Sequence, residues 1–225
     1  MANSVTYDDI CRAVKATGLI CRGGFHPVPG DKIPGNPISC IMVGNAGPQF
    51  WSSFERNRPD GRDPIEAWTS EVLTQIATEM GGDVLFPFSG PPFHPFMAWA
   101  KRSEPVWESP IGLLIHPVYG LWHAYRGMLL FKEHIELPET NTPEDPPCDT
   151  CRDKPCKTTC PVDAVTGDLF GVQACAGHIE TPKGEDCLQT GCAARRACPV
   201  GPDYLYPPAQ AAYHMRFFLD TYGPD

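Results

Sequence analysis

The sequence has little positive charge. Its 225 residues include 18 lysines and arginines against 27 aspartates and glutamates, so the net charge is −9 at neutral pH. The longest basic runs are two pairs, Lys101-Arg102 and Arg195-Arg196. Proteins that bind a nucleic-acid backbone normally present a basic stripe to its phosphates. We therefore predict that this protein has no nucleic-acid partner.

Long apolar runs are also missing. No stretch approaches the ~18 consecutive apolar residues that a membrane helix needs. The first residues lack the charged start and apolar core of a secretion signal. We therefore predict no membrane partner and a cytoplasmic location. Apolar residues still make up 42% of the chain and charged residues 20%, a composition typical of a globular protein.

Motifs that bind phosphate or carry a nucleophile are absent too. The sequence contains no G-x-G-x-x-G and no G-x4-G-K-[ST], so binding of a nicotinamide or another nucleotide has no support. It also contains no nucleophile elbow.

Cysteine, by contrast, is abundant. Eight of the eleven cysteines lie between Cys148 and Cys198. Because cytosolic thiols stay reduced, such a group favours metal ligation over disulfides. Eight thiolates are the number that two [4Fe–4S] clusters require, since each cluster binds four soft anionic sulfurs. The predicted metal ligands are Cys148, Cys151, Cys156, Cys160, Cys175, Cys187, Cys192 and Cys198.

Two of these cysteines precede a proline, in Cys160-Pro161 and Cys198-Pro199. In two-cluster ferredoxins, the cysteine before proline serves the other cluster. This crossing rule predicts one cluster on Cys148, Cys151, Cys156 and Cys198. It predicts the other cluster on Cys160, Cys175, Cys187 and Cys192.

Other cysteine chemistries stay open. Two zinc sites with four thiolates each would use the same residue types, although only one C-x2-C unit is present, Cys148 to Cys151. Disulfides would require an oxidising compartment. The sequence supports the second cluster less strongly than the first, because the cysteines of the second set lack the C-x2-C-x2-C spacing of bacterial ferredoxins. Cys11, Cys21 and Cys40 are interpreted as plain buried thiols.

A proline- and acid-rich stretch divides the chain. Residues 141–147 are predicted to link a first domain, 1–140, to a cysteine-rich second domain, 148–225. In the first domain, helical patterns alternate with short apolar runs typical of strands. The predicted helices cover 6–16, 64–80, 96–101 and, in the second domain, 207–222. The predicted strands cover 38–43, 83–88, 112–115 and 127–131. The fold class is therefore predicted to be α+β.

The cysteine arrangement resembles the cluster module of epoxyqueuosine reductases and corrinoid reductive dehalogenases. The preceding segment, Gly112-Leu-Leu-Ile-His-Pro-Val-Tyr-Gly-Leu-Trp122, also resembles their cobalamin domain. A closer similarity is to the cobalamin-processing chaperones of the methylmalonic aciduria type C family. It rests on the stretch His116-Pro117-x-x-Gly120-x-Trp122-x-Ala124-x-Arg126-Gly127. The whole chain is similar to small bacterial iron–sulfur proteins labelled as ferredoxins.

The resemblance implies a nitroreductase-like α/β sandwich that holds a corrinoid, followed by a two-cluster bacterial-ferredoxin-like module that reduces its cobalt. A corrin is a broad, mostly apolar disc with amide arms, so it needs an aromatic floor and polar groups at its rim. The candidate cobalamin-binding residues are His116, Pro117, Tyr119, Gly120, Trp122 and Arg126. The same aromatic side chains equally suit core packing, and Arg126 equally suits pairing with a nearby acid.

Three functions follow from these features. The first is an iron–sulfur redox protein that binds cobalamin and passes electrons to it from two [4Fe–4S] clusters, for cobalamin processing or a reductive reaction. The second is a two-cluster ferredoxin that acts purely as an electron carrier. The third is a cobalamin carrier with structural clusters. The redox functions need an electron-donor protein, which the sequence does not identify. A tRNA-modifying reductase is disfavoured, because no basic stripe is present.

Overall fold

The computed structural model describes residues 5–140, 143, 145–165 and 170–223, and the chain divides into two compact units. The first unit comprises Met1–Pro105 and His123–Thr142, and the second comprises Val106–Trp122 and Pro143–Asp225. The predicted linker contains one of these boundaries, although its residues 141, 142 and 144 lie outside the described residues. This division differs from the predicted first domain, 1–140, in that Val106–Trp122 lie in the second unit.

Helices and strands both occur, as the α+β prediction requires. The strands are β1 (Ile20–Phe25), β2 (Ser39–Ala46), β3 (Asp83–Leu85), β4 (Trp107–Glu108), β5 (Leu114–Ile115) and β6 (His123–Phe131). The helices are α1 (Tyr7–Ala16), α2 (Trp51–Arg56), α3 (Pro64–Glu79), α4 (Phe96–Ser103), α5 (Pro147–Thr150), α6 (Val172–Ile179), α7 (Glu185–Thr190), α8 (Ala193–Arg196) and α9 (Pro208–Tyr222). The mixed class is confirmed, whereas the nitroreductase-like and ferredoxin-like arrangements stay predictions. None of the helices in the described part of the chain is long and apolar enough to cross a membrane.

The first unit is built on an antiparallel sheet with the strand order β1-β2-β6-β3. Strand β2 pairs with β6 from Ser39 opposite Phe131 to Ala46 opposite His123. All eight residues of β2 are buried, which explains the continuous apolar run that predicted it. Helices α1 and α3 contact this sheet through β1, β3 and β6.

Local signals account for the predicted helices. At the start of α1, the Thr6 hydroxyl accepts a hydrogen bond from the Asp9 N–H at 3.2 Å, and the Asp9 carboxylate accepts one from the Thr6 N–H at 3.3 Å. This reciprocal pair is the capping box that the sequence indicates. Helix α3 begins at Pro64, because proline lacks an N–H that would otherwise need a partner there.

Strand β1 and helix α2 do not appear among the predicted elements. Strand β1 contains a buried arginine and two glycines, which is not a typical strand pattern. Gly23 has a φ of +68°, and a Cβ there would lie 2.1 Å from the Ser103 carbonyl oxygen. The strand therefore needs glycine at this bulge, where its register against β2 shifts.

A buried ion pair explains the arginine in β1. Arg22 is 1% exposed, and its Nη2 lies 2.5 Å from a carboxylate oxygen of Glu104. Its guanidinium also donates to the Asn45 carbonyl oxygen and lies 4.8 Å from the centre of the Tyr125 ring. Glu104 in turn accepts a hydrogen bond from the Tyr125 hydroxyl at 2.5 Å. The charge of Arg22 is thus fully paired inside the first unit.

The second unit has little regular structure. Three 3-10 turns, Pro155–Lys157, Pro182–Gly184 and Pro202–Tyr204, connect short helices. Helix α9 packs against α6 and α7. A small apolar cluster comprises Trp122, Tyr206 and Ala211, with Tyr204 packed against it.

The three cysteines of the first unit differ in burial. Cys40 is fully buried on β2, in agreement with its interpretation as a buried thiol. Cys11 on α1 and Cys21 on β1 are only partly buried, so that interpretation needs a correction for both.

Candidate functional site

Four cysteines of the second unit line one cavity. They are Cys148, Cys151, Cys156 and Cys198, the members of the first predicted set. Three come from α5 and the turn after it, and Cys198 follows α8 about forty residues later in the chain. The cavity has a volume of about 350 Å³, including some open solvent. Its other walls are mostly apolar or proline side chains: Pro110, Ile115, Leu121, Pro147, Pro155, Pro199 and Val200.

The wide spacing between Cys151 and Cys156 has a structural reason. Lys154 has a left-handed φ of 40°, which turns the chain back, and Pro155 then begins a 3-10 turn. The Lys157 N–H closes this turn by donating to the Lys154 carbonyl oxygen at 2.9 Å. The four residues between the cysteines therefore place Cys156 beside Cys151, despite the departure from ferredoxin spacing.

The thiols of this first set act on one another electrostatically. Burial raises the pKa of Cys148, and the charges of Cys198, Cys156 and Cys151 raise that pKa further. Burial also raises the pKa of Cys198, with the Val200 N–H lowering that pKa and Cys156 and Cys151 raising it. The thiolate forms of these cysteines would therefore repel one another, and a bound polycation would relieve that repulsion.

The second predicted set shows the same grouping. Burial raises the pKa of Cys175 to about 11, with Cys192, Cys160 and Cys187 contributing further. Cys175 lies on α6, Cys187 on α7, and Cys192 at the N-cap of α8. The left-handed Gly191 turns the chain between α7 and Cys192. The crossed assignment of Cys160 and Cys198 thus coincides with the spatial grouping of the eight thiols.

Backbone N–H groups point at several of these sulfurs. The Ala164 N–H donates to the Cys160 Sγ at 3.3 Å. Burial raises the pKa of Cys187 and of Cys198, and hydrogen bonds from the backbone N–H groups of Ala193 and Val200 oppose that rise. Such hydrogen bonds stabilise the thiolate form, which is the form that binds iron.

The thiol sets fit [4Fe–4S] clusters in number, softness and grouping. All eleven cysteines are free thiols, so the structure contains none of the disulfides considered as an alternative. Within the described ranges, no three His, Cys, Asp or Glu side chains are grouped closely enough to hold a single metal ion.

The first candidate cobalamin residues form a tight turn in the second unit. His116 and Gly120 exchange two backbone hydrogen bonds of 2.9 Å. The His116 Nδ1 accepts from the N–H groups of Val118 and Tyr119, at 3.0 and 3.2 Å. The His116 ring also stacks on Tyr119, with 4.2 Å between ring centres. The imidazole therefore stabilises its own turn.

Gly120 and Trp122 both pack against other residues of the second unit. Gly120 has a φ of +56°, and a Cβ there would lie 1.9 Å from the Val200 carbonyl oxygen. Trp122 is 2% exposed and packs edge-on against Tyr206. The Arg195 guanidinium covers the Trp122 ring at 4.6 Å and donates to the Leu121 carbonyl oxygen at 3.0 Å.

Arg126 belongs to the first unit. Its Nε donates to the Asn45 side-chain oxygen at 2.9 Å, and its guanidinium lies 5.2 Å from the centre of the Phe50 ring. It also lines a cavity of about 440 Å³, including some open solvent, with Ile65, Glu66, Thr69, Pro87, Phe88 and Tyr125. Burial raises the pKa of Glu66 in this cavity, while Arg126 opposes that rise. Local sequence patterns do not indicate that Glu66 and Thr69 lie near Arg126, because α3 and β6 are far apart in the chain.

Within neither unit do the six candidate residues form a single corrin-binding site. His116, Gly120 and Trp122 are buried by protein atoms of the second unit, and Arg126 is in the first. Pro117 and Tyr119 are partly exposed. Cobalamin binding by this set therefore stays a prediction from the resemblance.

Solved structures of epoxyqueuosine reductases share the fold of this chain. The Streptococcus thermophilus enzyme aligns over 90% of this chain and 69% of its own, with a TM-score of 0.54 and 16% identity. The Bacillus subtilis enzyme, with its catalytic loop swung out of the active site, aligns over 89% of this chain and 67% of its own, with a TM-score of 0.51 and 13% identity. At these identities the likeness establishes the fold alone. No protein-family model matches the chain, and no curated protein matches it.

The prediction that nucleic acid is not a partner needs a correction. A further epoxyqueuosine reductase with this fold was solved with an epoxyqueuosine-modified tRNA-Tyr stem loop, and it aligns over 91% of this chain and 69% of its own, with a TM-score of 0.50 and 14% identity. That enzyme binds nucleic acid on the same fold. Net charge sums over the whole surface and does not describe a local patch, so the acidic balance was not a sound reason to exclude such a partner.

Proposed function

We propose that this protein is an iron–sulfur redox protein that carries two [4Fe–4S] clusters. The supporting observation is the grouping of its thiols. Cys198 joins the cavity of Cys148, Cys151 and Cys156, and Cys160 joins the set that surrounds Cys175. The likeness to epoxyqueuosine reductases over about nine-tenths of the chain also supports a redox role.

Each cluster supplies single-electron transfer when it is bound. The chain's own residues have three tasks in this proposal. The cysteines hold the metal as thiolates, and the N–H groups of Ala164, Ala193 and Val200 stabilise the charge on three of the sulfurs. The apolar wall of the first cavity, which includes Ile115 and Leu121, limits contact with water. These hydrogen bonds and this wall are the features that set a cluster's reduction potential.

The test is the metal content of protein purified without air. We expect about eight iron and eight sulfide ions per chain, with broad visible absorbance that bleaches reversibly on reduction. A Cys40→Ser variant is the matched control, because Cys40 is buried in the first unit and should leave that content unchanged. Zinc in place of iron, or loss of the iron in the Cys40→Ser control, would overturn the proposal.

A second candidate is a corrinoid-linked reductase. The observation that favours it is that the fold likeness covers both units, and so extends beyond the cysteine-rich part. Titration of the cluster-loaded protein with cobalamin tests this candidate. Micromolar binding would support it. If cobalamin fails to bind while the clusters are reduced normally, the protein is an electron carrier, as in the predicted alternative.

A further inference from the structure

One hydroxyl group at the cavity of the first cysteine set is buried and unpaired. Ser109 belongs to the second unit and lines this cavity together with Cys148, Cys151, Cys156 and Cys198. Ser109 is 8% exposed, and its Oγ is fully buried with no hydrogen-bond partner among the described residues. Because an unpaired hydroxyl inside a protein destabilises the folded state, such a group indicates a partner that the protein binds.

The backbone of Ser109 is already paired. Its N–H donates to the Leu113 carbonyl oxygen at 2.8 Å, and its carbonyl oxygen accepts from the Gly112 N–H at 3.0 Å. These two bonds close a turn that fixes the position of Ser109 at the cavity wall. The hydroxyl is therefore the one polar group of this residue that is left to bind another molecule.

Sulfur is the only hydrogen-bond acceptor among the side chains that line this cavity. Besides Ser109 and the four cysteines, the wall consists of Lys154, which only donates, and of proline, isoleucine, leucine and valine side chains. None of the four cysteine sulfurs accepts a hydrogen bond from the Ser109 hydroxyl in the structure. A group bound between the cysteines is therefore the partner that remains for this hydroxyl.

We propose that the Ser109 hydroxyl donates a hydrogen bond to a sulfur of the first cluster and thereby raises the reduction potential of that cluster. This inference rests on the proposed function, because it requires the cluster to be present. Reduction adds negative charge to the cluster, and a hydroxyl that donates to its sulfur stabilises that charge. Ser109 itself keeps its proton and carries no electron.

Potentiometric titration of the cluster-loaded chain without air tests this inference. Ser109→Ala removes the hydroxyl and should leave the iron content at about eight per chain. We expect the equilibrium constant for adding one electron to one of the two clusters to fall about tenfold, a shift of about 59 mV to lower potential. The potential of the other cluster should not change.

Ser103→Ala is the matched control for this variant. Ser103 is also buried, at 1% exposed, but it lies in the first unit, and its hydroxyl donates to the Ala100 carbonyl oxygen at 2.9 Å. Both cluster potentials should therefore stay at the parent values in Ser103→Ala. The conservative variant Ser109→Thr keeps a hydroxyl and should also keep the parent potentials.

A second measurement separates a hydrogen bond from a change in the shape of the cavity. Electron–nuclear double resonance of the reduced protein in D2O should show an exchangeable deuteron coupled to the cluster, which is lost in Ser109→Ala and retained in Ser109→Thr. Unchanged potentials or an unchanged deuteron signal in Ser109→Ala, with the iron present, would overturn this inference and leave the proposed function intact. A parent chain without iron would overturn both.

Discussion

Strand β2 of the first unit buries every residue from Ser39 to Ala46, whereas the helices of the second unit bury few side chains, most of them small. Helix α6 buries Ala176 and Ile179, and α8 buries only Ala194. Burial of apolar surface can therefore stabilise the first unit by itself. The helices of the second unit contribute less apolar burial, and its eight cysteines are the groups that would add stability through bound metal.

Removal of iron should produce the largest difference in stability between the two units. Since metal binding supplies folding free energy, anaerobic chelation should unfold the second unit and leave the first folded. Hydrogen exchange measures the protection of backbone amides in both units in one experiment. We expect amides of α6 and α7 to lose their protection, while amides of β2 and β6 keep it. Equal protection of α6 and α7 with and without iron would contradict this account.

The substitution Arg22→Met should affect only the first unit. It leaves the Glu104 carboxylate buried without its cation, and breaking a buried pair in this way costs about 3–5 kcal/mol. Chemical denaturation should show that loss in the unfolding of the first unit, with the visible absorbance of the clusters unchanged. Arg12→Met is the matched control, because the Arg12 side chain is 75% exposed beside Asp9 and an exposed pair of this kind adds little stability. Equal losses in the two variants would contradict the prediction.

The substitution Gly120→Ala should affect only the second unit. Its Cβ would strike the Val200 carbonyl oxygen, two residues after Cys198, so we expect a loss of roughly 2 kcal/mol and faster release of iron to a chelator. Gly112→Ala is the control, since Gly112 also has a positive φ but has open space around it. It should show only backbone strain of about 1 kcal/mol. Similar rates of iron release from both variants would show that the close contact at Val200 does not support Cys198.

The features that were best predicted from the sequence are those that depend on residues close together in the chain. Helix α1 was predictable because Thr6 and Asp9 are three residues apart and cap the helix together. The grouping of the cysteines was predictable because a proline follows both Cys160 and Cys198, and the spatial sets coincide with that rule. Their role as iron ligands stays a prediction.

The features that the sequence did not predict depend on distant residues. Strand β1 contains an arginine whose burial depends on Glu104, more than eighty residues later. The segment Val106–Trp122 was placed in the first domain by composition, but Leu121 and Trp122 contact Arg195 and Tyr206 near the other end of the chain. Contacts between residues this far apart in the chain leave no signal in the local periodicity of the sequence.

Iron retention by double variants tests the crossed cysteine sets most directly. If Cys198 belongs with Cys156, the variant lacking both, Cys156→Ala/Cys198→Ala, damages one cluster and should keep about half of the iron. The variant Cys192→Ala/Cys198→Ala damages both clusters and should lose nearly all of it. The reverse result, with half the iron kept in Cys192→Ala/Cys198→Ala and almost none in Cys156→Ala/Cys198→Ala, would contradict the account.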